Sequence, residues 1–131
     1  MLFAALDNSG DGLTAEQLRM DVISNNLANA QTTRTPGGGP FQDQLVEFMA
    51  VPLAADGSGG VVVSGIVADT TPFPVQYDPG SPDANAQGYV QLPNVNVTAE
   101  MVNLLAASRA YQANATAFAD GVKDQQAALQ I

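Results

Sequence analysis

The residues with the clearest potential for chemistry lie near the N-terminus. Asp7-Asn8-Ser9-Gly10-Asp11-Gly12 matches the opening of an EF-hand calcium loop. Such a loop takes oxygen ligands from positions 1, 3 and 5 and needs glycine at position 6. Position 12, where a bidentate glutamate belongs, is Leu18, and Glu16 arrives two residues early. A calcium-binding module is therefore kept only as a remote alternative, and no metal ligand is predicted.

A second chemical possibility is a hydrolase that uses paired carboxylates, for which Asp69, Asp78 and Asp83 are the candidates. Aspartate next to proline or glycine is usually a turn former whose carboxylate accepts from nearby backbone amides. The chain also contains no histidine and no cysteine, which removes the commonest general base and any thiolate nucleophile. The sequence predicts a protein that is not an enzyme and that holds no cofactor.

The charge balance limits the partners. Thirteen acidic residues against four basic ones give a net charge of −9, which repels phosphate backbones and anionic lipid headgroups. No run reaches the roughly 18 apolar residues of a membrane span, and the apolar stretch 46–55 is interrupted by Pro52. We therefore expect neither nucleic-acid binding nor membrane insertion.

The last third of the chain carries a heptad pattern that predicts one long helix over residues 99–129, with Thr98 as its N-cap. Glu100 falls in the first turn, where the helix dipole favours an acid. The seam residues alternate at three- and four-residue steps: Met101, Leu104, Ser108, Tyr111, Ala115, Phe118, Val122, Gln125 and Leu129.

A matching pattern in the first thirty residues predicts a second helix. Its apolar positions are Leu6, Leu13, Met20, Ile23 and Leu27. Gly10 and Gly12 interrupt the first turns, while Thr14 and Gln17 could form a capping box that restarts the helix. We therefore expect two helical pieces or a kink.

The middle of the chain changes to glycine, proline, valine and aspartate. Residues 36–40 form a breaker cluster, followed by predicted strands at 44–51, 61–67 and 89–92. Residues 78–81 suit a type II turn with glycine at positive φ. The expected fold class is α+β: long N- and C-terminal helices that form a coiled-coil-like pair, with a small β-rich segment between them.

The two helical seams exceed what this short middle segment can bury, because it contains few aromatic side chains. Association with other copies or other proteins would complete the fold. An intramolecular hairpin that buries both seams is the open alternative.

Helical asparagines are a further feature, since asparagine is mildly unfavourable within a helix. Two interpretations stay open: a solvated helix end, or amides that fix the register against a neighbouring helix. The residues are Asn25, Asn26, Asn29 and Asn114.

Several motifs in order carry a resemblance to a known family. The segment 24–30, Ser-Asn-Asn-Leu-Ala-Asn-Ala, followed by Thr32 and Thr33, resembles the N-terminal signature of flagellar axial proteins of the rod and hook. The segments 34–41, 77–84 and 108–114 are similar to the proximal-rod members in particular.

This resemblance implies a structural subunit of the proximal rod that polymerises through its terminal helices into a tube, transmits torque and surrounds the export channel. It also implies export without a cleaved signal peptide, a place in the periplasmic rod, and other copies, other rod proteins and the export apparatus or its rod adaptor as partners. Another rod subunit of the same axial group is the alternative.

The expected division is an N-terminal axial helix at 1–33, a β-hairpin-rich segment at 34–97 and a C-terminal axial helix at 98–131. An axial motif that sets register is expected at Asn25, Asn26, Asn29, Thr32 and Asn114. The expected subunit-packing residues are Leu6, Leu13, Met20, Ile23, Leu27, Met101, Leu104, Tyr111, Phe118, Val122 and Leu129.

Overall fold

The structure, a computed structural model, describes residues 2–130 and places small antiparallel β ribbons between two long helices. The elements in chain order are α1 (Leu2–Ala28), β1 (Gln44–Val51), β2 (Gly60–Ala68), β3 (Val75–Tyr77), β4 (Tyr89–Gln91) and α2 (Val97–Leu129). The predicted α+β class is confirmed. Within the described residues, neither helix combines the length and apolar character needed to cross a bilayer.

Helix α1 runs without interruption through Gly10 and Gly12, so the predicted break is wrong. Thr14 does not restart the helix: its hydroxyl donates to the Gly10 carbonyl oxygen at 3.1 Å, one turn back in the same helix. Each glycine costs about 1 kcal/mol relative to alanine. Packing of α1 against α2 and the β1–β2 ribbon outweighs that cost.

Helix α2 begins at Val97, two residues before the predicted start. The N-cap is Asn96 rather than Thr98, and its side-chain oxygen accepts from the Ala99 amide at 3.1 Å. Asparagine and threonine both cap helices, so composition alone did not distinguish them. The end at Leu129 agrees with the heptad pattern.

The β region forms two separate ribbons. Strands β1 and β2 pair antiparallel with a register shift between Glu47 and Phe48, and their bounds lie within one residue of prediction. Strands β3 and β4 form the second ribbon, in which the Tyr77 and Tyr89 rings meet edge to face at 5.3 Å. Strand β3 was not predicted, because three residues give too little alternation to detect.

The predicted type II turn at residues 78–81 is wrong in its geometry. The Ser81 amide donates to the Asp78 carbonyl at 3.1 Å, but Gly80 is not among the glycines with positive φ. That conformation falls instead at Gly88, with φ of 85°. A Cβ on Gly88 would also lie 2.9 Å from a ring carbon of Tyr77. Both the positive φ and the contact with Tyr77 therefore require glycine at this position.

Two glycines set the approach of α1 to α2. A Cβ at Gly12 would lie 2.9 Å from the Asn114 amide nitrogen, and one at Gly121 would lie 2.6 Å from a methyl carbon of Leu6. The helices are therefore antiparallel neighbours in close contact. The intramolecular hairpin, left open from the sequence, forms within one subunit.

The hairpin nevertheless buries little. The buried apolar side chains among the described residues are Ala15, Val22, Ile23, Val90 and Ala107. The accessible surface is 8447 Å², whereas a compact monomer of 13.5 kDa should expose about 6,500 Å². The excess, about 2,000 Å², is comparable to the area that a stable protein interface buries.

We predict that Gly12→Leu lowers the free energy of unfolding by about 1–3 kcal/mol, because the side chain must push Asn114 and helix α2 away. Gly10→Leu is the matched control. A Cβ there meets nothing within 4 Å, and leucine favours the helix, so stability should be unchanged or slightly higher. Urea unfolding followed by circular dichroism measures both, and equal effects would contradict the glycine contact.

Candidate subunit-packing surface

The predicted packing residues divide into two groups. Ile23 is buried, and seven others are half-buried along the hairpin: Leu6, Leu13, Met20, Leu27, Leu104, Tyr111 and Val122. Met101, Phe118 and Leu129 are exposed, with Leu129 80% accessible. The two predicted stripes therefore cover each other in part, and three of their members remain exposed.

The outer side of α2 carries apolar residues that the heptad analysis missed. Val102 is 62% exposed and Leu105 is 54% exposed, beside Met101 at 58%. They lie on the flank of the heptad seam, where the pattern gave no reason to select them. Together they form a bare apolar patch on the first turns of the helix.

The β1–β2 ribbon adds a second exposed apolar area. The sheet contains only these two strands, so each strand has one unpaired edge. Its exposed apolar side chains are Leu45, Phe48, Met49, Val51, Val61, Ile66 and Val67. Contiguous apolar patches on a soluble protein mark interaction surfaces.

Asn26 is the most buried polar side chain of the fold, with no accessible surface. Its amide nitrogen donates to the Gln44 carbonyl oxygen at 2.8 Å, and its carbonyl oxygen accepts from the Gln44 amide at 3.2 Å. The same nitrogen lies 3.4 Å from a carboxylate oxygen of Glu100. Asn26 therefore joins α1 to the first residue of β1 and to the first turn of α2.

Two buried carboxyls lie in the same region. The sequence predicted Glu100 only as an acid in the first turn of α2 and predicted no role for Asp43. Asp43 and Glu100 are both 5% exposed. Burial, followed by the charge of Glu100, raises the pKa of Asp43 to about 6. One Asp43 carboxylate oxygen has no hydrogen-bond partner within the described part of the chain. The acidic residue in the first turn of α2 was visible in the sequence, but its burial was not.

Asn94 holds the loops around this region. Its oxygen accepts from the Asp43 amide at 2.7 Å, and its nitrogen donates to the carbonyl oxygens of Asp69 and Thr71 at 3.0 and 2.9 Å. One side chain thus connects three segments that are distant in sequence. No sequence pattern indicated these contacts.

The other predicted register residues act locally. The Asn29 amide donates to the Asn25 carbonyl oxygen at 2.8 Å, and the Thr32 hydroxyl donates to the Asn29 side-chain oxygen at 3.2 Å. These contacts close the C-terminal end of α1, which fits the interpretation as a helix end. Asn114 instead lies against Gly12 across the hairpin.

The candidate chemical residues have structural roles. Asp7–Gly12 is helical, a conformation incompatible with an EF-hand loop. Asp83 pairs with the Arg34 guanidinium at 2.9 Å and accepts from the Thr33 hydroxyl at 2.7 Å. Asp69 accepts from Thr71, and these bonds lower its pKa. Over residues 2–130, no three potential ligands cluster in a way that could hold a metal ion.

We predict that Asn26→Ala destabilises the fold by about 1–3 kcal/mol for each buried group left unpaired at Gln44 and Glu100. Asn25→Ala is the matched control, because Asn25 is adjacent to Asn26 in sequence but has an exposed side chain. Its effect should stay within about 0.5 kcal/mol. Chemical unfolding of both purified variants gives the comparison, and equal losses would remove Asn26 from this role.

We also predict a pH-dependent effect of Asp43→Asn. The folded-state pKa of about 6 lies above the ordinary value of 3.8, so folding favours the protonated carboxyl. The contribution of Asp43 to the free energy of unfolding is therefore fully present below pH 3.8 and is lost as the pH rises through 6. Relative to its effect at pH 4, the substitution should favour the folded state at pH 8 by up to about 3 kcal/mol. Chemical unfolding from pH 4 to 8 should show that the difference in the free energy of unfolding between variant and wild type grows with pH. A difference that stays constant would contradict the raised pKa of Asp43.

Both ends of the chain match models of known protein families. Residues 6–34 match the family model described as "Flagella basal body rod protein". Residues 86–131 match the model described as "Flagellar basal body rod FlgEFG protein C-terminal". The two matched segments contain most of α1 and all of α2.

Whole-chain relatives extend the match through the β region. The chain is 45% identical to the flagellar basal-body rod protein FlgC of Borreliella burgdorferi, covering 88% of this chain and 87% of that protein. It is 42% identical to FlgC of Escherichia coli O157:H7, with coverage of 86% and 84%, and 42% identical to FlgC of Bacillus subtilis, with coverage of 88% and 87%. The chain therefore belongs to the FlgC family and is a structural subunit of the flagellar basal-body rod.

Proposed function

We propose that the subunit polymerises through its terminal helices into a tube that transmits torque and surrounds the export channel. The carrying observation is the accessible surface of 8447 Å², which exceeds the compact-monomer value by about 2,000 Å². Much of this surface is apolar and lies on α2 and on the β1–β2 ribbon. Assembly would remove it from water.

The type of contact between subunits follows from the distribution of these apolar patches. The exposed apolar side chains of α2 and those of the ribbon belong to different elements, so one surface need not pair with a copy of itself. Heterologous contacts repeated by one operator build an open helix or a closed ring. A helical tube is the assembly that suits torque transmission.

We assign the axial role to residues 1–33 and 98–131, and an outer position to residues 34–97. The half-buried packing residues would hold the hairpin within one subunit. Met101, Phe118 and Leu129, which are exposed in the single chain, would contact neighbouring subunits. The asparagines near the end of α1 would preserve the shape of this end in the assembly.

The partners that we propose are other copies, other rod proteins, and the export apparatus or its rod adaptor. The rod would lie in the periplasm, and the subunit would reach it without a cleaved signal peptide. The absence of cysteine suits a chain that crosses into an oxidising compartment without forming disulfides. The role is mechanical, and we propose no enzymatic activity and no cofactor.

We predict that Phe118→Asp prevents rod incorporation and swimming, because a buried interface would have to accommodate a charge. Tyr111→Asp should do the same and should also weaken the hairpin, since Tyr111 is half-buried. Ala117→Asp is the matched control, with the same new charge at the adjacent, exposed position. Motility assays and the composition of purified basal bodies report the outcome; normal swimming of the Phe118 variant would refute this contact.

A further inference from the structure

Helix α1 covers only one half of each strand in the β1–β2 ribbon. The Asn26 side chain bonds to Gln44, at the start of β1. The side-chain oxygen of Asn8 lies 3.5 Å from the position of a Cβ on Gly60, at the start of β2. Because the strands are antiparallel, these two starts lie at opposite ends of the ribbon. The second half of each strand is bare, and the residues exposed there are 47–51 and 66–68.

Hydrogen bonds around Gln44 show which backbone groups of β1 face away from β2. The Asn26 side chain bonds to both the amide and the carbonyl of Gln44. The carbonyl of Asp43 instead accepts from the residue that follows β2, so Asp43 faces β2 and Gln44 faces away from it. Neighbouring residues of a strand alternate in this respect, so Val46 and Phe48 also direct their backbone groups away from β2.

Strand β2 has a matching open edge. Ala68 lies opposite Gln44, and Ile66 lies opposite Val46. Both therefore direct their backbone groups away from β1. The ribbon contains two strands, so in the part of the chain that the structure describes these outward groups have no strand partner. At Gln44, the Asn26 amide takes the place of such a partner.

Neither open edge has the features that usually prevent two strands from pairing. Natural edge strands are commonly short, charged or interrupted by proline. Strands β1 and β2 have 8 and 9 residues, contain no proline, and have Glu47 as their only charged residue. The register shift leaves Ser64 without a partner in β1, but this residue precedes the open segment of β2. Because the whole chain has a net charge of −9, a second copy meets less repulsion here than at surfaces that carry the other acids.

We propose that the open edge of β1 pairs with the open edge of β2 in a second copy of this chain. Phe48 then lies opposite Ile66, and Val46 lies opposite Ala68. Two endings select this register, because β2 ends at Ala68 and the edge of β1 is closed at Gln44. Val46 is the last open position before that closure. The inference rests on the proposed assembly function and specifies one contact through which copies join.

The side chains that this register brings together suit one another. Phe48 and Ile66 are 38% and 47% exposed in the single chain. An aromatic residue directly opposite a β-branched one stabilises a sheet. Met49 falls opposite Gly65, where a Cβ would meet nothing within 4 Å, so the methionine side chain has room.

The same register keeps the nearest acids apart. Glu47 lies opposite Val67, two positions from Asp69 of the second copy. A shift of two residues, with Ala50 opposite Ile66, would place Glu47 directly opposite Asp69. Like charges in directly opposite positions destabilise a sheet, so the register with Phe48 opposite Ile66 is favoured.

The contact is heterologous, because β1 of one copy meets β2 of the next. Copies that point the same way keep the antiparallel strand order of the ribbon. Each copy is then displaced by two residues along the strands, or about 7 Å. Such a contact repeats from copy to copy and agrees with an open helical array.

Removal of one backbone donor tests the edge contact. Ile66→Pro removes an amide that faces away from β1, so the ladder within the ribbon is kept. The amount of this subunit in purified basal bodies should fall roughly tenfold below that of Ile66→Ala, which loses the side chain but keeps the amide. Circular dichroism of both purified variants checks that they fold. Equal incorporation of the two variants would overturn the proposal.

Cysteine pairs give a measurement that decides the question even if the proline variant does not fold, because the natural chain contains no cysteine. Oxidised basal bodies with Met49→Cys and Gly65→Cys should give a ladder of cross-linked copies, because directly opposite Cα atoms lie about 4.5 Å apart. Within one subunit these residues are offset by two positions, or about 8 Å, which exceeds disulfide reach.

The matched control is Met49→Cys with Val67→Cys, which the proposed register offsets by two positions between copies. It should give no ladder, because about 8 Å is again too far for a disulfide. Any other pattern of cross-linking across the two pairs would overturn the proposed pairing.

Failure of this contact is distinguishable from failure of the proposed function. If the chain did not assemble into the rod tube, its deletion would leave swimming unchanged. If the tube assembles through other contacts, deletion abolishes swimming while Ile66→Pro incorporates as well as Ile66→Ala. If Ile66→Pro is lost from basal bodies but neither cysteine pair cross-links, the edge binds a different rod protein, and the contact with a second copy is refuted.

Discussion

The structure depends on one constraint. Almost no apolar core exists where α1, β1 and α2 meet, so the hydrogen bonds of a single polar side chain, Asn26, must hold these three elements together. Asn26 supplies both hydrogen bonds that a neighbouring strand would give to Gln44, and it also contacts Glu100. With only five buried apolar residues among those described, directional polar contacts carry an unusual share of the specificity. Such contacts fix geometry well, because an unpaired buried group is costly.

Much of the architecture was predictable because periodicity encodes it. The heptad seam predicted α2 to its last residue, and alternation placed β1 to the residue, since both patterns extend over many positions. The glycines of α1 misled because a helix-breaking propensity of about 1 kcal/mol is local, whereas the contact between Gly12 and Asn114 is tertiary. A pattern within one helix holds no information on what lies across from it.

The candidate surface was predictable only in part for the same reason. The stripes identified apolar residues, but only the packed hairpin separates Ile23, which is buried, from Met101, which is exposed. Asp43 and Asn94 belong to loops without periodicity, so their joint burial depends on tertiary contacts alone. Membership of the FlgC family agrees with this division: the subunit has a buried polar framework, and its exposed apolar faces would be covered by neighbours in the proposed assembly.

The glycine contacts between the helices also determine how wide one hairpin is. Gly12 and Gly121 let the two axes approach more closely than side chains of ordinary size would permit. In a tube built from such hairpins placed side by side, the circumference is the sum of their widths. In the proposed tube, the number of subunits per turn and the diameter of the central channel would therefore depend on the absence of a side chain at Gly12 and Gly121.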